Sequence, residues 1–165
     1  STSNPPTMPA SRLCVGHSDS LYDRIYNLVV QTERYLDLSS LSPWDGRFLA
    51  AMRNAVTFLH HTGRAIQIRI IFGNPRANFT CLGVADDLLR DVNTSATSLR
   101  VSVGSWLSAR GLTHLDPSWN HAKIVAVDGR VVLQGGHNMY TYDYLTTSPV
   151  LDASMVIGGP AAVHA

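Results

Sequence analysis

His121 and Lys123 stand two residues apart, and Asp128, Gly135, Gly136 and Asn138 follow in the same short run of chain. An imidazole and an ammonium that project together suit an anion. The lysine supplies charge, and the imidazole can serve as nucleophile, acid or base. The Gly135-Gly136 pair carries no side chains, so a ligand or a second backbone can approach closely. Asn138 can donate an amide hydrogen bond to the same anion. Together these residues describe a phosphate pocket that needs no metal and no cofactor. Asp128 differs, because it sits beside a turn. It reads as a structural group that bonds turn amides or a basic partner.

For His121 and Lys123 to point the same way they must lie on a strand, where side chains two apart share a face. The run HAKIVAVD predicts that strand, Asp128-Gly129 predicts a tight turn, and RVVLQGG predicts the return strand. Upstream, Leu21, Ile25, Leu28 and Val29 recur at helical spacing, with Ser18 or Ser20 as the cap. YLDLSSL predicts a strand that Pro43 ends. Phe48, Met52, Ala55 and Leu59 mark a second helix that stops at Gly63. Ile66, Ile68 and Ile70 alternate as in a strand. LGVADDLLRDVN predicts a third helix, and LRVSVG and ASMVIGG two more strands. Ser105 to Pro117 reads as an irregular linker. Strands alternating with helices, plus one hairpin, predict an α/β fold with a mixed sheet.

The chain has 165 residues, a length that suits one domain. The polar, proline-rich residues 1–13 read as a flexible arm, and residues 14–165 as a single lobe. A net charge of +1 argues against a dedicated nucleic-acid binder, which relies on a basic face. No apolar run reaches the length of a membrane span. The N-terminus lacks the pattern of a signal peptide and is expected to be an arm or the start of a mature protein. Cys14 and Cys81 have no metal-ligand spacing. Two free thiols or one disulfide both fit, and a bridge would suit an oxidising compartment. Asn78 and Asn93 begin triplets of the glycosylation pattern, which are frequent by chance.

The string His121, Lys123, Asp128, Gly135, Gly136 and Asn138 resembles the HKD signature of the phospholipase D superfamily. SWNHAKIVAVDG, GGHN, YDYL, PVLD and GPAA further resemble the first lobe of secreted bacterial phospholipases D of the Streptomyces type. YLDLSSLSPWDGRFLAAM and IQIRIIFG match that lobe more loosely. The resemblance implies hydrolysis or transphosphatidylation of phospholipids through a phosphohistidine, without a metal. His121 would be the nucleophile, and Lys123 and Asn138 would hold phosphate oxygens. PVLD places Asp152 where an acid orients that histidine. The likeness also implies a secreted protein acting at a membrane surface. For a lipid substrate, Trp44, Trp106, Trp119 and Tyr140 would give an apolar rim.

The chain departs from the pattern in three respects. Family members use two motifs, and no other histidine here is followed two residues later by lysine. The second motif is therefore expected on another chain, or on a second copy of this one paired by two-fold symmetry. A single-motif phosphodiesterase or endonuclease acting as a homodimer is one alternative, and a non-catalytic half-domain that binds phosphate head groups is another. The end at GPAAVHA, where a first lobe ends, favours a lobe separated from its partner. His137 stands in GGHN where relatives often carry an apolar residue, and either lines the pocket or faces away. Ser154 stands where a second acid is common. His60 and His61, at the end of a predicted helix, read as structural.

Overall fold

The computed structural model describes residues 19–73, 80–106, 119–141 and 152–164. Along the chain run α1 (Asp19–Val29), β1 (Tyr35–Ser40), α2 (Gly46–His61), β2 (Gln67–Phe72), α3 (Cys81–Leu88), β3 (Arg100–Ser105), β4 (Ile124–Val127), β5 (Val131–Gly135) and β6 (Ser154–Gly158), with a 3-10 turn at Pro160–His164. The arm at 1–13, Cys14, Ser18 and Asn78 lie outside the described residues. Cys81 opens α3 as a half-buried free thiol.

The six strands form one mixed sheet in the order β3-β2-β1-β4-β5-β6. β1, β2 and β3 are parallel, since α2 and α3 carry the chain back between them. The remaining pairs are antiparallel. This is the predicted α/β architecture. Its turn falls at Asp128 and Gly129, both with positive φ, which matches the twist of the flanking strands.

Alternation within the strands decides where the core sits. Leu36, Leu38, Ile68, Ile70, Phe72, Val125, Val127 and Leu133 are buried with Ile25, Leu28 and Val29 of α1 and Phe48, Met52, Ala55, Val56 and Leu59 of α2. Val84 and Leu88 of α3 join them. The opposite sheet face is more open, with Asp37 and Arg69 paired across β1 and β2. The 3-10 turn packs against β5 and β6 and buries Ala162.

Several boundaries differ from expectation. The third helix ends at Leu88 instead of reaching Asn93. A turn from Leu89 to Val92 follows and buries Val92, so the chain can reverse into β3. Thr80, which the sequence pattern did not single out, caps that helix by accepting from Gly83 N at 3.0 Å. Ser105, expected in the linker, is the last residue of β3, and 107–118 lie outside the described residues.

Candidate active site

The carboxyl ends of β1, β2, β3 and β5 and the amino ends of β4 and β6 share one edge of the sheet. His121, Lys123, Asn138 and Asp152 all lie on segments that leave or enter the sheet there. Antiparallel β4 is the cause. It starts beside the end of β1, with Ser39 opposite Ile124, so the residues before it fall at the mouth of the parallel strands.

His121 and Lys123 are not on a strand, which corrects the expectation. β4 begins only at Ile124, because the preceding residues are held by side chains. Asn120 makes that connection. Its Nδ2 donates to Ser39 Oγ at 2.8 Å, and its Oδ1 accepts from Ala122 N at 3.3 Å. Ser39 Oγ in turn donates to Ala122 O at 3.2 Å. Gly73, just past β2, completes the seat, since a Cβ there would fall on the Asn120 backbone. Asn120 and Ser39 are positioning residues that the spacing pattern gave no reason to choose. The one signal is a polar Asn directly before His121.

The two motif side chains still meet. Lys123 Nζ donates to His121 O at 2.8 Å and lies 3.1 Å from His121 Nδ1. His121 is exposed, whereas Lys123 is only 6% exposed. Burial pushes the Lys123 pKa below its ordinary value, and the negative charge of Asp152 opposes that shift. An accessible imidazole with a cation at its base can attack an electrophile such as phosphorus while the charge holds an anionic oxygen.

The loop after β5 closes the other side. Gly136 N donates to Ala153 O at 2.9 Å. A Cβ on Gly136 would strike the Asp152 carboxylate, so the missing side chain allows that acid to stand where it does. His137 turns toward β6, with its Nδ1 2.9 Å from Ser154 Oγ. Burial lowers its pKa, and Asp152 again opposes the shift. Asn138 is half-buried on the same loop, and buried Met139 anchors it. Thr141 N donates to Asp45 Oδ1 at 2.6 Å, tying the loop to the start of α2.

The remaining candidates fall apart spatially. Asp128 lies at the far end of β4, and its partners are not the amides of its own turn. Its carboxylate accepts from the backbone amides of Glu33, Arg34 and Tyr35 at 2.8–2.9 Å, and from Arg130. Burial works to raise its pKa, but those donors outweigh it and the net shift is downward. Trp44 belongs to the core and not to a rim, packed edge-on to Phe72 at 5.5 Å. Trp119 and Trp106 are 36% and 51% exposed beside the site, and Tyr140 is half-buried. A concavity of about 310 Å³ lies on the open sheet face between Asp37, Ser39, Arg69, Ile71, Ile124 and Val163, and none of His121, Lys123, Asn138 and Asp152 lines it. Among the described residues no group of three His, Cys, Asp or Glu side chains is placed to hold a metal ion.

The chain is 31% identical over 150 residues to a phospholipase D of Streptomyces antibioticus, an alignment covering 88% of this chain and 26% of that enzyme. The chain thus spans about a quarter of the length of that relative. No family model matches. Among solved structures, NucT from Helicobacter pylori has a TM-score of 0.55 at 11% identity, covering 86% of this chain and 77% of its own. Nuc from Salmonella typhimurium, described as a phospholipase D family member, has a TM-score of 0.54 at 14% identity, with coverage of 90% and 81%. Phosphatidylserine synthase from Haemophilus influenzae has a TM-score of 0.51 at 18% identity, with coverage of 87% and 33%. The sequence likeness to the Streptomyces enzyme, with the shared fold, supports one class, a member of the phospholipase D superfamily.

Proposed function

We propose that this chain supplies one half of a phospholipid-cleaving site in which His121 is the nucleophile. A nitrogen of His121 bonds phosphorus as the bond to the leaving alcohol breaks. A histidine of a second motif gives that alcohol its proton. Water or another alcohol then attacks, the phosphorus–nitrogen bond breaks, and the phosphatidyl group is released. Lys123 and Asn138 hold the phosphate oxygens, and Asp152 orients the His121 ring. The observation that carries the reading is the exposed His121 ring in contact with the buried Lys123 ammonium. Likeness to the Streptomyces enzyme supports a lipid substrate, and with it a site of action outside the cell.

The test is choline release from a phosphatidylcholine dispersion by the protein as isolated, with and without His121→Ala. The expected result is release by the wild type, none by the variant, and a phosphohistidine at His121 in quenched turnover. Undiminished activity of the variant overturns the reading and favours a half-domain that only binds phosphate groups.

One observation favours a second reading, in which the chain pairs with itself. It spans 81% of Nuc and 77% of NucT, but only 26% of the Streptomyces enzyme. A native mass of twice 18.0 kDa, with salt-sensitive DNA cleavage in EDTA, would support that reading over the lipid one.

A further inference from the structure

His137 has no part in that scheme, yet it is fastened into the site. Its Nδ1 meets Ser154 Oγ at 2.9 Å, and the preceding Gly136 N meets Ala153 O at the same distance. Two hydrogen bonds thus join residues 136–137 to residues 153–154. Asp152 stands against Gly136, directly beside this join. Its charge acts on both His137 and Lys123, and Lys123 touches His121. Hydrogen bonds thus link Ser154 to His137 on one side and Lys123 to His121 on the other, and the charge of Asp152 acts on both sides.

We propose, resting on the His121 reading, that His137 is a positioning residue: its bond to Ser154 sets where the Asp152 carboxylate stands, and its protonation draws that carboxylate away from Lys123 and His121. A neutral His137 leaves the charge of Asp152 to the motif. A protonated His137 adds a second cation beside the same acid and weakens the alignment. Because burial holds its pKa below the ordinary imidazole value, the ring is uncharged at neutral pH and the effect belongs to the acid side. Among the described residues, Asp152 on the approach to β6 is the charge that acts on His137, and the same acid acts on Lys123, which touches His121.

The test compares His137→Leu, His137→Asn and His121→Ala in the protein as isolated, using p-nitrophenyl phosphocholine as a soluble substrate. Asparagine places an amide nitrogen near the position of Nδ1 and keeps the bond to Ser154. We expect kcat of His137→Leu to fall about 10- to 100-fold with KM little changed. His137→Asn should recover most of that loss at neutral pH and lack the acid limb of the wild-type profile. A wild-type kcat and acid limb in both variants overturns the proposal. So does an Asn variant as impaired as the Leu variant, with both melting temperatures lowered, which marks a purely structural residue. A fully active His121→Ala overturns the underlying reading instead. A second readout needs no turnover. With inorganic phosphate bound, the His121 ring signal in NMR should show a step at the pH where His137 titrates, and His137→Asn should remove it. Independent titration of the two rings overturns the proposal.

Discussion

Lys123 Nζ meets both the peptide and the ring of His121, donating to its backbone carbonyl at 2.8 Å and lying 3.1 Å from its ring Nδ1. The ammonium therefore fixes both the peptide and the ring of its neighbour, and removing it does more than delete a charge. Lys123→Met is expected to lower turnover about 100- to 1,000-fold, the range seen when a donor to a developing oxyanion is lost. Steady-state kinetics beside a thermal melt check this, since the fold should survive.

The same lysine sets a pH dependence. Its pKa lies below the ordinary value of 10.5, with burial as the main cause. Only the protonated form attracts phosphate. Affinity for inorganic phosphate should therefore fall as pH rises through a value below 10.5, earlier than for an exposed lysine. Phosphate titrations followed by NMR at increasing pH measure this, and affinity that holds up to the ordinary lysine range would contradict it.

Asp128 predicts stability and not activity. Its side chain is 3% exposed and accepts three backbone amides. Asp128→Ala should cost about 2–4 kcal/mol, because those donors lose their partner. The sign with pH follows from its lowered pKa. The contribution is complete above the unfolded-state pKa near 3.8 and is lost as pH falls through the lower folded value. Denaturant melts across the acid range, wild type against variant, should converge there.

Gly136→Ala tests the close approach of Asp152. The new methyl would overlap that carboxylate, so the loop or the acid must move. Turnover should drop at least about tenfold while stability changes by roughly 1–3 kcal/mol. Wild-type kinetics in this variant would show that the position of Asp152 is unimportant.

Asn120→Ala removes the bonds to Ser39 and Ala122 that seat His121. A stability loss of about 1 kcal/mol is expected. The loss in kcat should be larger than that loss accounts for, since His121 is left on a looser segment. Comparing kcat with the unfolding midpoint separates the two effects.

Much of this architecture was legible because it is written in local periods. Alternating Ile68 and Ile70, the Phe48–Met52–Ala55–Leu59 stripe and the Asp128-Gly129 turn each report on neighbours a few residues away. What escaped depends on partners far along the chain. Nothing near Asp128 reveals that its carboxylate meets amides at residues 33–35, and nothing near Asn120 points to Ser39. Trp44 has the chemistry of a rim residue, and only its packing against Phe72 assigns it to the core. The direction of His137 rests on Ser154, 17 residues further along the chain in β6. His121 and Lys123 share a face even without a strand, so the chemical inference survived an error in the local structure.

The clamp at Asp128 has a consequence at the opposite end of the sheet. It fastens the far tip of β4 to the entry of β1, about 17 Å of extended chain from Lys123. A slip of one position would turn every side chain of β4 to the other face. The carboxylate thus acts as a datum mark from which the place of His121 is measured along a stiff rule. The two ends can then vary separately: one keeps the strand in step, and the other is free to change the chemistry it presents.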